Sequence, residues 1–496
     1  MAELYQKLGF DSNPFKTFSA EDEKKVLNKF YIKPIKYNSI KRSMVDNITN
    51  YIFAKRGNGK TALLYSLIND LDIKSSFHII IDDFSEVDVR KDKVEISFLK
   101  YTIRKLVDTL IFRLMNNRSI IDNLNNVVKR NEIATIIFSY LECMSKESYL
   151  DEIEKIKGTY TSNNLKKFFN NYFIHVSNSL VSATLDMFST TVANSIGMQS
   201  FVNDKEHKYI KSLKIDNLKD ISSDSDIKLI FNKLISLIKE LGFETITIFV
   251  DRVDEHQLLE TLPKKISDFI QPIAGNTTLT KDSRFSFQFL LWDKLKEPME
   301  QAGVRFDKVT PISIDLTHEE LKNIMIKRLE YYSSNKINNL DSIINIENTD
   351  LIYDLADSSP RDMIRLLCFV YDAQEDIISE NINIITPEAF EKGLKDYIYE
   401  YNFYYNYPIT IKSQQFTVYE FIGNLFTLNT TVFTLKEYTD VCNLNNTQAK
   451  KQIDRMLEMK LVSTLRQDGK FLYKVVSKLL THAINRKMDI KGVNSI

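Results

Sequence analysis

Glycine and proline are scarce in this chain of 496 residues, numbering 12 and 9. So few breakers argue for a helix-rich protein with few extended linkers, and they make any cluster of glycines stand out. Cysteine is scarcer still: Cys143, Cys368 and Cys442 lie far apart and form no C-x-x-C pair. That argues against a disulfide framework or a zinc ribbon and fits a reducing cytoplasm. An excess of either charge is also missing, with 66 basic and 66 acidic residues. A global electrostatic footprint for nucleic acid is therefore absent, although a local basic face is compatible with the count. The start, MAELYQKLGFDSNPF, has neither a basic stretch nor an apolar core, so no signal peptide is expected. Nowhere do about 18 apolar residues run together, and no membrane span is expected. The nearest stretch, residues 179–198, carries Asp186 and many hydroxyls and reads as an amphipathic helix.

What is present is a chain long enough for two to four domains. Residues 1–45 open with the turn signal Asp11-Ser12-Asn13-Pro14. A charged, helical-looking stretch follows at 20–30, then a strand-like piece at 31–35. Residues 50–53 form a short β-branched and aromatic run before a glycine-bearing loop, and 61–71 (TALLYSLINDL) return to helical spacing. Strands are expected at 77–81, 245–250, 285–291 and 312–316. The long helical stretch around 97–225 reads as an insertion, and 317–405 as a helical lid. The last segment shows helices at 417–428, 435–442 and 447–460, then strands at 461–465 and 471–476 around Gln467-Asp468-Gly469-Lys470. Helix, helix-turn-helix and β-wing make a winged-helix domain. The expected architecture is α/β: a parallel-sheet core over 46–316 containing the glycine loop, the lid, and the winged helix over 406–496.

The strongest motif is Ala54-Lys55-Arg56-Gly57-Asn58-Gly59-Lys60-Thr61, with Ala62 following. A polyphosphate needs several backbone N–H donors converging on it, so the chain must curl without Cβ obstruction, which Gly57 and Gly59 permit. Lys60 places a point charge on the β- and γ-phosphates, and Thr61 offers a hydroxyl to Mg²⁺. The helix behind adds the positive end of its dipole. Alanine stands where the full G-x-x-x-x-G-K-T pattern begins with glycine.

Asp251-Arg252-Val253-Asp254-Glu255 closes a buried strand. Asp251 suits a Mg²⁺ ligand, on a strand expected next to the P-loop strand. Because Arg252 follows it directly, Glu255 is the expected catalytic base, with Asp254 in reserve. Ser358-Ser359-Pro360-Arg361-Asp362 starts a helix, with proline at its first position. Arg361 is a candidate for the γ-phosphate, and Pro360 for the wall beside it. Lys294 and Arg305 follow the fourth strand, and His256 adjoins Glu255. In the winged helix, Gln448, Lys450, Lys451, Gln452, Arg455, Arg466 and Lys470 are residue types suited to DNA, while Asp454 and Glu458 on the same helix oppose it.

Together, Leu8-Gly9-Phe10, Asn13-Pro14-Phe15, FAKRGNGKTALL (53–64), IFVDRVDE (248–255) and SSPRDMIRLL (358–367) resemble bacterial P-loop ATPases of the STAND and AAA+ type. Within these, the group often found near anti-phage defence systems looks most similar, through its N-P-F lead, R-G-x-G-K-T-A-L loop and D-R-x-D-E strand end. The resemblance implies a parallel sheet with the P-loop and acidic strands adjacent, a helical lid, and a carboxyl-terminal winged helix. It also implies a cytoplasmic ATPase using ATP and Mg²⁺, whose nucleotide state controls homo-oligomerisation or a separate effector protein. A winged-helix DNA regulator or loader is the competing expectation. Ala54 and Ser358, the latter in place of a lid glycine, are departures from the pattern.

Overall fold

The computed structural model describes residues 3–117, 120, 123–124, 224–259, 262–309, 311–377, 382–407, 417–467 and 469–493. Most of the expected insertion, with residues 179–198 and Cys143, lies outside these.

After a one-turn α-helix at Leu4–Lys7, the first long element is α1 (Tyr37–Val45). Strand β1 (Asn50–Ala54) leads through the glycine loop into α2 (Lys60–Asn69), and β2 (Ser76–Ile81) follows. Helices α3 (Val94–Asn116) and α4 (Asp224–Glu240) pack on each other and precede β3 (Thr245–Val250). Next come α5 (Pro263–Ala274), β4 (Ser286–Trp292) and β5 (Ile312–Ile314). The strands form one sheet in the order β2-β3-β4-β1-β5, with every pair parallel. Strands β1, β3 and β4 are buried throughout, as expected of a sheet covered on both faces.

The order corrects one expectation. The P-loop strand β1 and the acidic strand β3 are not neighbours, because β4 pairs with both. The motifs still meet, because α2 starts over the carboxyl ends of these strands and its first turn reaches Asp251. Side-chain patterning identifies a buried strand but carries no information about its lateral position.

One sheet face packs on α3, α4 and α5 through Phe77, Phe98, Leu106, Phe231, Ile238 and Phe269. The helix α3, which falls within the expected insertion, thus belongs to the central core. The opposite face packs on α2 and α1 with Leu27 and Phe30.

Beyond β5 lie α6 (His318–Tyr332), α7 (Ile346–Leu355), α8 (Pro360–Asp376) and α9 (Pro387–Tyr399). The winged helix comprises α10 (Val418–Leu428), β6 (Val432–Phe433), α11 (Leu435–Val441), α12 (Asn446–Glu458), β7 (Val462–Gln467), β8 (Lys470–Val475) and α13 (Lys478–Arg486). Its three strands are antiparallel, and β8 lies between β6 and β7. Lid and winged helix share one hydrophobic cluster running from Leu321 to Ile490, so they pack as one body. That cluster also takes in Leu4, Leu8, Phe10 and Phe15. The amino terminus is therefore built into the lid. Instead of the expected helix and strand, residues 20–35 hold turns and a single 3₁₀ turn at Leu27–Lys29. Among the described residues no helix is long and apolar enough to cross a membrane.

Candidate functional site

The loop between β1 and α2 curls through two left-handed glycines, Gly57 at φ 84° and Gly59 at φ 78°. Lys60 turns its amine back over the loop, donating to the carbonyls of Ala54 at 3.2 Å and Lys55 at 3.3 Å. Burial lowers its pKa, and the nearby Asp254 and Asp251 carboxylates oppose that shift. Thr61 Oγ1 donates to Asp251 Oδ2 at 2.8 Å. Asp251 is 2% exposed, and its burial pushes its pKa up to about 6, against the hydrogen bond from Thr61 and the charge of Lys60. Ala62 is buried against the sheet.

Asp254 is committed to a partner. Arg56 Nε donates to its Oδ2 at 2.7 Å and Arg56 Nη2 to its carbonyl at 3.0 Å, with both side chains largely buried. The same guanidinium lies over the Trp292 ring, 4.5 Å from its centre, and its Nη1 donates to the Tyr405 carbonyl at 3.0 Å. Glu255 differs: its side chain is 60% exposed and its closest charged neighbour is Arg252 Nε at 4.0 Å. Of the two, Glu255 is the carboxylate able to meet a water.

The lid closes on this loop. Ser359 Oγ accepts from the Asp362 N–H at 3.2 Å and caps α8, with Pro360 in its first turn. A Cβ built on Gly57 would lie 2.2 Å from Ser359 Oγ, so the P-loop and the start of α8 are in direct contact. Lys55 adds an exposed pair to Asp357 at 3.4 Å. Asp357 and Ser358 both have positive φ, 43° and 68°, a backbone conformation that favours glycine. Arg361 is exposed and lines the cleft, as does Arg365 one turn on.

The cleft has a volume of about 930 Å³. It is lined by Arg56 through Ala62, Asp251, Arg252, Asp254, Glu255, Pro360 and Arg361, so the loop, strand-end and lid motifs converge on one space. Three other candidates stand elsewhere. Arg305 pairs with exposed Asp307 at 2.6 Å. Lys294 donates to the Asn406 carbonyl and sits 4.9 Å from the Tyr407 ring, and burial lowers its pKa to about 8. His256 Nδ1 accepts from the Leu258 N–H at 3.2 Å, and its ring stands edge-on to Phe269.

The other half of the cleft was not read from the sequence. Phe18, Ala20, Tyr31, Ile32 and Pro34 from the amino-terminal segment line it, together with Ile314, Leu316, Ile324 and Ile364. The wall is apolar and concave, the kind of surface that takes a flat heterocycle. The one available signal was the run of aromatic and branched residues in a segment with no regular element of its own.

Among the described residues no group of three or more His, Cys, Asp or Glu is placed to hold a metal. Thr61 and Asp251 instead offer a hydroxyl and a carboxylate, hard oxygen donors of the kind Mg²⁺ accepts alongside phosphates and water.

No protein-family profile matches the sequence, and no curated protein matches it. Among solved structures, the chain is similar to the ORC2 protein of Aeropyrum pernix in its ADP form. Identity is 10%, the TM-score is 0.37, and 98% of each chain is covered.

Proposed function

We propose that the chain binds ATP with Mg²⁺ in the cleft between the α/β core and the lid and hydrolyses it, acting as a switch. The observation that carries this reading is the contact of Thr61 with buried Asp251 at 2.8 Å, one residue from Lys60 and beneath the lid helix. The glycine loop supplies backbone N–H donors to the phosphates, and Lys60 the charge. Thr61 and Asp251 hold Mg²⁺, which when bound neutralises phosphate charge. Glu255 orients and deprotonates the attacking water, a task Asp254 cannot share while Arg56 holds it. Arg361 reaches the terminal phosphate from the lid.

Lid and winged helix share a core, so a lid displacement carries the winged helix with it. Nucleotide state then controls assembly of copies or engagement of an effector. A role in anti-phage defence rests on the motif resemblance, and loss of protection in cells carrying Lys60→Ala is its test. The first experiment is Mg²⁺-dependent phosphate release from ATP by wild type, Lys60→Ala and Glu255→Gln. Turnover in wild type that both substitutions abolish supports the assignment. Full turnover in either variant sinks that residue's role.

A DNA-binding regulator is the second reading, favoured by exposed Lys451, Arg466, Lys470 and Phe471 on α12 and the wing. Gln452 works against it, because it is buried and accepts from Tyr438 at 2.6 Å, and so does Lys450, which pairs with Asp454 at 2.8 Å. Steeply salt-dependent DNA binding supports this reading, and nucleotide-dependent assembly without DNA affinity supports the switch.

A further inference from the structure

The segment from Thr17 to Lys36 crosses the cleft as a strap. Its leading end is fixed in the lid, where Phe15 is fully buried against Phe10 and Tyr371. Its trailing end is fixed on the core, where Leu27, Phe30 and Tyr37 pack with residues of α2, and Phe30 also meets Tyr331 and Tyr332 of α6. The chain therefore passes between lid and core twice, here and after β5. Within the strap, neighbouring glutamates hold opposite sides. Glu23 pairs with Arg328 of α6 in a buried site: Arg328 Nη1 donates to Glu23 Oε2 at 2.9 Å, and Nη2 to the Thr17 carbonyl at 2.7 Å. Glu21 instead forms an ion pair with Arg252 of the core, and both side chains are about three-tenths exposed.

Arg252 is an unusual residue to find so engaged. It follows Asp251 directly, lines the cleft, and holds a left-handed backbone at φ 59° without being glycine. Glu255 lies 4.0 Å from its Nε. A guanidinium matches a carboxylate and a phosphate in the same forked geometry, and a terminal phosphate carries more charge than one carboxylate. The Glu21 and Arg252 side chains are part-exposed, with Ser19 Oγ donating to the second Glu21 oxygen at 2.7 Å, whereas Glu23 and Arg328 are almost wholly buried.

Building on the ATP-binding reading above, we infer that Arg252 is a nucleotide-sensing residue that exchanges Glu21 for the terminal phosphate of ATP, thereby freeing the leading part of the strap, ahead of Glu23, from the core. ADP lacks the competing phosphate and leaves the latch closed. The freed part stays with the lid through Glu23 and Arg328, while Leu27 and Tyr37 keep the trailing end on the core.

The test is limited trypsin digestion of the full chain, alone, with ADP and with a non-hydrolysable ATP analogue, reading cleavage at exposed Lys16 and Lys25 by mass spectrometry. Nucleotide binding is measured alongside with a fluorescent analogue. The analogue is expected to raise strap cleavage about two- to fivefold over ADP, the scale of an exposed ion pair. Glu21→Gln gives that faster cleavage in every state while still binding ATP. Arg252→Gln is also cleaved fast in every state and loses the difference between ATP and ADP. The exchange Glu21→Arg with Arg252→Glu restores slow cleavage and removes the ATP response. Binding of ATP with equal cleavage under ADP and ATP overturns this inference alone. No ATP binding by wild type overturns it together with the proposed function.

Discussion

The two ends of the cleft are built on opposite plans. On the proposed ATP-binding reading, the phosphate end is a polar arrangement of residues consecutive in the chain, Gly57 to Thr61, joined by one strand terminus, Asp251 to Glu255. The base end is apolar and discontinuous, with Phe18, Ile32, Ile314, Ile324 and Ile364 drawn from four separate elements. Phosphate is recognised by N–H groups and charges at fixed spacing, which only a contiguous loop delivers. A flat ring needs only apolar area of the right shape, which many segments can supply. A local motif therefore marks the first end, and tertiary structure alone assembles the second.

The largest expected effect falls on the phosphate end. Asp251→Asn keeps an acceptor for Thr61 but removes the metal ligand, so Mg²⁺-dependent phosphate release should fall by roughly two orders of magnitude. Stability should move the other way. Burial raises the Asp251 pKa from 3.8 to about 6 in the fold, so its ionisation opposes folding as pH rises through that range. The substitution should raise the melting temperature at pH 7 to 8 and leave it unchanged near pH 4. The gain is at most about 3 kcal/mol, the equivalent of about two pKa units. Because protons compete with Mg²⁺ for the Asp251 carboxylate, wild-type phosphate release should also fall as pH drops, and added Mg²⁺ should offset the fall. Equal melting temperatures at pH 8 would show that Asp251 carries no burial cost.

The contact between the two halves comes next. Gly57→Ala places a methyl in a left-handed backbone and 2.2 Å from Ser359 Oγ, so either the loop uncurls or the lid lifts. ATP affinity should drop roughly tenfold or more by titration, since a strained backbone and a lost lid contact cost about 1.4 kcal/mol or more. Tripolyphosphate affinity should drop with it. An effect on ATP alone would mean that the loop adapts and only the base end suffers.

These cases show how much was legible in the sequence. The loop, the acidic strand end and the start of α8 were found because each chemistry demands particular residues at close spacing. The winged helix was found because its helices and wing follow one another in the chain. The strand order was not, since β4 separates β1 from β3 and lateral pairing leaves no local mark. Nor was the strap: residues 20–35 satisfy their backbone through turns and tertiary contacts, and their charges, Glu21 and Glu23, acquire partners hundreds of residues away.

Stability separates the strap's two sides. Glu23→Ala would leave the Arg328 guanidinium buried without its carboxylate, a loss of about 3–5 kcal/mol. The first unfolding transition in urea should move to lower concentration, and ATP affinity should weaken as the strap loosens. Glu21→Gln, whose pair is partly exposed, should leave that transition almost in place. Similar shifts for both would erase the distinction between a buried anchor and an exposed latch.

The smallest effect belongs to the base end. Phe18 is 42% exposed at the rim of the cleft, so truncating it costs the fold little. If it stacks on the base, Phe18→Ala should weaken ATP about fivefold, near 1 kcal/mol, the low end of what aromatic stacking on a base contributes. Tripolyphosphate has no base, and its competition for the cleft should be unchanged by the same substitution. Michaelis constants for ATP should rise while the turnover number holds, because the ring touches the substrate far from the reacting atoms and binds ground and transition states alike. A fall in turnover number would place Phe18 in the lid's closing motion, and the two ends of the cleft would then be coupled through the strap that carries it.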